Sequence, residues 1–314
     1  MSAMRETMAG QPAALRELAA DEAPAAAAAE ALAGRRVWLV GTGTSWHAAN
    51  HGAWLLREAG LDARPAQAAD TAAYGPVPRE GDALVLLSHT GAKRYANTVL
   101  ERARASGVAC VRIGARGTGA DVETVERERS AAFTASHLGA LFRLAQLARI
   151  LGADLGRLDA VADAVAAALE GTGPEVAPPA RLLELTGAGA NQWTAAEGAL
   201  KVREAARIAT EGLAVEQLLH GPAVALGADD ALVCLDGGGP LADRVEAVAG
   251  LAVAGGVRVH RVAARELGES LSIFPLTVAV QRIALESAEA LGTDPDAFGY
   301  DVPGRKEAWE AVEL

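Results

Sequence analysis

Short apolar, β-branched runs recur along the chain, and each is followed by glycine or hydroxyl residues and then by a helical pattern. Arg36-Val-Trp-Leu-Val-Gly41 runs into Thr42-Gly-Thr-Ser45, and a helix follows over Trp46–Ala59 with Gly60 placed to stop it. Asp82–Leu87 repeats the arrangement, ending in Ser88-His-Thr-Gly91 ahead of a helix over Tyr95–Ser106. Val108–Ile113 is a third strand closed by Gly114, and Ser130–Leu151 reads as one long amphipathic helix. Continuous apolar runs, rather than period-two alternation, predict a parallel sheet covered on both faces.

The pattern then returns. Arg181–Thr186 leads into Gly187-Ala-Gly189 and a helix containing Glu197, Asp230–Leu235 leads into Asp236-Gly-Gly-Gly239, and Val257–Val262 is a further strand. A weaker strand is expected near Leu271–Phe274, before a helix over Leu276–Ala290. The Gly- and Pro-rich stretch Gly171–Pro179 reads as a linker. The predicted class is α/β: two tandem, doubly wound, flavodoxin-like domains. The expected boundaries are 1–35 for an N-terminal helical segment, 36–170 and 180–290 for the two domains, and 291–314 for a C-terminal tail.

In open parallel sheets, ligands bind beyond the carboxyl ends of the strands, where strand order reverses. Gly43-Thr44-Ser45 and Ser88-His89-Thr90 occupy two such strand ends, each at a helix N-terminus. Hydroxyls, free N–H groups and the helix dipole converge there, which suits a phosphate. One such loop alone is as well explained as a helix cap; two in one domain favour a phosphate pocket. Gly41-Thr-Gly43 lacks the third glycine of a dinucleotide fingerprint, having Trp46 and His47 in the close-packing positions.

Glu197, Lys201 and Glu204 are spaced by four and three along an Ala-, Leu- and Val-rich helix, so they share one face. A polar stripe on such an element is either an ion-pair ladder or an acid–base site. His220-Gly-Pro222 follows sixteen residues later. The one helical histidine pair, His47 and His51, has no third ligand beside it, and neither a metal nor any other cofactor is expected.

A net charge of −11 argues against nucleic acid or anionic membranes as partners, while leaving room for a phosphorylated ligand held locally. Hydrophobic residues make up 51% of the chain, ample for two cores. Two cysteines, Cys110 and Cys234, each in a strand-like run, fit a reducing cytoplasm. Ala25–Ala33 holds Glu30 and lacks the core of a secretory signal, and no uncharged apolar run reaches the eighteen or so residues of a membrane span. A soluble, cytoplasmic protein is expected.

Taken in order, Met4-x-Glu6, Gln11-Pro12-x-Ala14-Leu15, Gly43-Thr44-Ser45, Ser88-x-Thr90-Gly91, Ala132-Phe133-Thr134, Glu197-Gly-Ala-Leu-Lys201-x-x-Glu204, His220-Gly-Pro222 and Gly292-Thr-Asp294-x-Asp296 resemble the SIS (sugar isomerase) family of phosphosugar-binding proteins. Within it they look most like the tandem isomerase half of glucosamine-6-phosphate synthases. The resemblance implies that Thr44, Ser45, Ser88 and Thr90 bind phosphate and sugar, and that Glu204 moves a proton between C1 and C2 of an open-chain sugar. It implies that His220 assists ring opening from the neighbouring subunit of a homodimer, while Lys201 and Glu197 line and order the site. Lys93 stands where the family's phosphate loop usually has threonine, which makes it a candidate for a charge-assisted contact to the phosphate as well as a solvated surface lysine beside Arg94. Lys306 is the only lysine near the place of the family's active-site tail lysine. The opening Met1-Ser2 does not match the nucleophilic Cys that begins the synthases' glutaminase domain, and that domain is not expected here. The expected function is therefore a sugar-6-phosphate isomerase or a fructosamine-6-phosphate-type deglycase or deaminase. The alternatives are a phosphosugar sensor, or an aminotransferase-type subunit supplied with ammonia by another chain.

Overall fold

The apolar runs Val37–Gly41, Ala83–Leu87 and Leu183–Gly187 become strands buried along their whole length, as residues covered on both faces of a sheet must be. The computed structural model describes residues 1–171 and 175–312. Two helices come first, α1 (Ala3–Ala20) and α2 (Ala23–Leu32). They are followed by β1 (Val37–Gly41), α3 (Thr44–Glu58), β2 (Ala63–Gln67), α4 (Ala68–Ala73), β3 (Ala83–Leu87), α5 (Arg94–Ala105), β4 (Ala109–Gly114), β5 (Val122–Glu123) and α6 (Ala135–Ile150). After α7 (Val161–Glu170) the arrangement repeats as β6 (Leu183–Gly187), α8 (Asn191–Ala206), β7 (Thr210–Ala214), α9 (Val215–Leu219), β8 (Ala231–Asp236), α10 (Ala242–Ala254), β9 (Arg258–Ala263) and α11 (Glu269–Leu291), with α12 (Arg305–Glu310) last. Both sheets are parallel, ordered β2-β1-β3-β4-β5 and β7-β6-β8-β9, so each reverses strand order beside its first strand.

The chain divides into two units. One, built on the first sheet, holds Ala13–Glu128, Ala135–Leu155 and Gly304–Leu314; the other, built on the second, holds Met1–Pro12, Arg129–Thr134 and Gly156–Pro303. Of the expected linker, residues 172–174 lie outside the described residues.

The two sheets repeat each other down to single glycines. A Cβ on Gly41 would stand 2.3 Å from the Ser45 carbonyl oxygen, and one on Gly187 would stand 2.5 Å from that of Asn191. In both, the strand-to-helix turn passes too close for a side chain. Eleven residues on, Gly52 admits Leu39 and Leu144, and Gly198 admits Leu185 and Val280, so α3 and α8 each lie tight against the first strand of their sheet. In the first unit α4 and α5 cover one face of the sheet and α3 packs along α6; in the second, α8 and α11 cover one face and α9 and α10 the other.

Two expectations are corrected. Leu271–Phe274 is not a strand but the first turns of α11, which continues through Pro275 to Leu291. Its whole circumference is buried near that end, so the run lacks helical periodicity and looks like a covered strand. The helix expected from Ser130 begins at Ala135 instead. Helix α11 is long and apolar enough to cross a membrane, but 78% of that stretch is buried within the protein, where it packs on α8.

Among the described residues, one buried carboxyl has no ion-pair partner. Glu184 of β6 is 1% exposed, sits in register between Glu211 of β7 and Leu232 of β8, and its Oε1 has no hydrogen-bond partner. Burial first, and then the Glu211 charge, push its pKa up to about 8, against a smaller opposing pull from Arg203.

Candidate functional site

In the first unit, the turn after β1 carries Thr44 and Ser45 at the start of α3, both half-buried, behind Gly43 at φ 58°. The turn after β3 is locked to the end of β4. The Ser88 N–H donates to the Ile113 carbonyl (3.0 Å) and the Ala115 N–H donates to the His89 carbonyl (2.9 Å). Gly114 is needed there because a Cβ would lie 2.7 Å from the Ser88 carbonyl oxygen. Asn97 of α5 donates to the Gly91 carbonyl (3.1 Å), and the Thr90 hydroxyl accepts from the Ala92 N–H.

The Ser88 hydroxyl, by contrast, is shielded from solvent with no hydrogen-bond partner in the protein. Such a group is costly unless something reaches it. The sequence grouped His89 with the phosphate contacts, yet its Nε2 accepts from the Glu128 N–H (3.2 Å), and burial is the main cause lowering its pKa. His89 is therefore a neutral brace between the loop and Glu128 at neutral pH. Lys93 is exposed in extended backbone just before α5.

In the second unit, Glu197 and Lys201 of α8 are fully buried and Glu204 is 14% exposed. The Lys201 ammonium donates to Glu204 Oε2 and lies 3.5 Å from Glu197 Oε1. One cation is shared between two carboxylates, and of the three side chains only Glu204 reaches solvent. The helix ends at Arg207, held at φ 59° with its N–H on the Val202 carbonyl and its guanidinium 2.5 Å from Asp301. His220 caps α9; its side chain is 73% exposed and its Nδ1–H donates to the Glu216 carbonyl (2.8 Å). Because a carbonyl only accepts, the neutral ring carries its proton on Nδ1 and leaves Nε2 as the basic nitrogen. Lys306, on α12 of the first unit, lies 3.9 Å from Glu310 of its own helix.

The hydroxyl loops belong to one unit, and the ionisable helix and His220 to the other. The second sheet's own crevice is filled by protein. Asn191 donates to the Ser272 hydroxyl (2.8 Å), and the two pack so closely on Gly237 that a Cβ there would stand 2.1 Å from Ser272 Oγ. Asp236, which corresponds to Ser88 in the repeat, is paired with Arg265. Sequence reading could not see this difference, since both loops are glycine-rich turns at helix N-termini. The cysteines stay as thiols: Cys234 is buried in β8 and its pKa is pushed up to about 12, and Cys110 of β4 is half-buried.

No protein-family model matches the chain and no curated protein matches its sequence. Solved structures do. The C-terminal domain of glucosamine-fructose-6-phosphate aminotransferase from Francisella tularensis matches with a TM-score of 0.76 at 17% identity, over 94% of this chain and 98% of that one. A protein provisionally named a phosphosugar isomerase from Silicibacter pomeroyi matches at 0.81 and 21%, over 94% of this chain and 100% of that one. Glucosamine-6-phosphate deaminase from Thermotoga maritima matches at 0.75 and 18%, over 94% and 97%. At these identities the likeness is one of fold: a tandem, doubly wound, parallel-sheet architecture.

Proposed function

We propose that this chain is a phosphosugar enzyme that holds a sugar 6-phosphate and moves a proton between C1 and C2 of its open-chain form. Glu204 is assigned the proton transfer, and the Ser88–Gly91 and Gly43–Ser45 loops the phosphate. The observation that carries the reading is the buried Glu197–Lys201–Glu204 face, with only its outermost carboxylate open to solvent. Aldose–ketose exchange needs a base that takes a proton beside a carbonyl and returns it to the adjacent carbon, and one positioned carboxylate does both. Lys201 fixes that carboxylate, and Glu197 fixes Lys201. His220, with a basic Nε2 on an exposed ring, suits proton transfer during ring opening. Its exposure fits service to a neighbouring chain, which makes the proposed functional species a homodimer.

The same proton transfer serves isomerisation and the cleavage of a fructosamine-type C–N bond, in which a water is consumed and an amine released. The similar structures bear names from both chemistries, together with an aminotransferase, and all three names refer to phosphosugars. In heavy water the wild type is expected to exchange deuterium into C1 or C2 of a sugar 6-phosphate. Glu204→Gln keeps the shape and should bind while exchanging about 10²–10⁴-fold more slowly. Exchange at the wild-type rate in the variant removes Glu204 from the chemistry. A variant that loses several kcal/mol of stability instead marks the stripe as an ion-pair ladder. A wild type that binds phosphosugars yet exchanges no deuterium is a sensor.

A further inference from the structure

A phosphate site in the first unit calls for a cation, and neither sequence candidate is well disposed to supply it. Lys93 is exposed ahead of α5, and His89 is engaged by the Glu128 N–H. Arg112 of β4 stands differently. It is in register with Leu86 of β3, two residues before Ser88. Its guanidinium Nη2 donates to the carbonyls of Thr118 (3.1 Å) and Gly119, while Nη1 lies 4.0 Å from where a Cβ on Gly91 would be. The group is therefore wedged between the Ser88–Gly91 turn and the turn that follows β4.

Carbonyls orient a guanidinium without neutralising it. Among the described residues no carboxylate lies within ion-pair distance of Arg112; Asp121 accepts from its backbone N–H instead. The same turn holds the Ser88 hydroxyl, shielded and without a partner. An unneutralised guanidinium beside a glycine-containing turn and an unsatisfied hydroxyl within that turn are the two halves of an anion site: a planar donor fork and a short donor.

We infer that Arg112, rather than Lys93, supplies the charge by which the Ser88–Gly91 turn selects a phosphomonoester dianion. This rests on the phosphosugar reading above. It adds a specificity-determining residue that none of the motifs contains.

The experiment is a pair of titrations, with a sugar 6-phosphate and with the same sugar lacking phosphate, on the full chain. Arg112→Gln is expected to raise Kd for the phosphorylated sugar about 10- to 100-fold, the range of a hydrogen bond to a charged group. It should leave the other sugar unchanged and flatten the salt dependence of phosphate-ester binding. Arg112→Lys keeps the charge and should recover part of the preference; it also serves where the glutamine variant folds poorly. Lys93→Ala should change the ratio less than twofold. A purely structural Arg112, pinning the turn after β4, predicts equal weakening of both sugars with a lower unfolding temperature, and that result overturns the inference. So does an unchanged ratio in Arg112→Gln while Ser88→Ala/Thr90→Ala abolishes it, in which case the phosphosugar reading survives. A wild type indifferent to the phosphate overturns both.

Discussion

Replacing Glu184 by glutamine removes a buried carboxyl that the fold holds protonated at neutral pH. The unfolded chain releases that proton near the ordinary value of 4.5, whereas the folded chain holds it to about 8. The folded pKa is the raised one, so its stabilising effect is complete below pH 4.5 and is lost as pH rises towards 8. Between those limits the unfolded state binds fewer protons, and stability falls by about 1.4 kcal/mol per pH unit. The loss reaches about 3 kcal/mol at pH 7 and about 4 kcal/mol at pH 8, and levels off at about 5 kcal/mol above that. Glutamine has nearly the same shape and never ionises, so its stability curve lacks this slope. Urea unfolding of both proteins in steps from pH 4.5 to 8.5 measures the difference, in which other titrating groups cancel. Any cost of burying the amide appears as a constant offset already present at pH 4.5. Parallel curves across the window refute the argument that Glu184 is buried uncharged beside Glu211.

Asp296 accepts from the N–H groups of Ala3 (2.6 Å) and Met4 (2.9 Å) at the start of α1. Asp296→Ala should therefore cost about 0.5–2 kcal/mol of unfolding free energy and Asp296→Asn less, both read by urea titration; no loss in either variant would show the cap to be inert. His220 is tested by complementation. Mixing inactive Glu204→Gln chains with inactive His220→Ala chains should restore activity through mixed dimers, and a stable, active wild-type monomer on size measurement contradicts the proposal.

The central strands were readable because each is covered on both faces: β1, β3 and β6 are buried along their whole length. Their edge neighbours were not. Strand β2 reads Ala-Arg-Pro-Ala-Gln and β7 reads Thr-Glu-Gly-Leu-Ala, each buried only at its first residue, so neither carries an apolar run nor a clean alternation. The Glu197–Lys201–Glu204 stripe was legible because helical spacing alone brings those side chains together. Arg112 was not, since its meaning depends on Gly91 and Thr118, which approach it from two different turns. The hydrogen bond of His89 was hidden for the same reason: its partner is a backbone N–H thirty-nine residues away.

The bond between Asp296 and the first turn of α1 also sets an order of events during synthesis. At about 5–20 residues per second, residue 296 leaves the ribosome roughly 15–60 s after Met4. Met4 and Met8 end fully buried, in a cluster with Leu285 and Ala288 that is made equally late. Strands β1–β5, by contrast, are all translated before residue 124. The leading helix therefore emerges with an apolar face whose cover has not yet been translated. A chain halted before α11 is complete displays that face permanently, which gives chaperones and proteases a ready means of telling an unfinished molecule from a finished one.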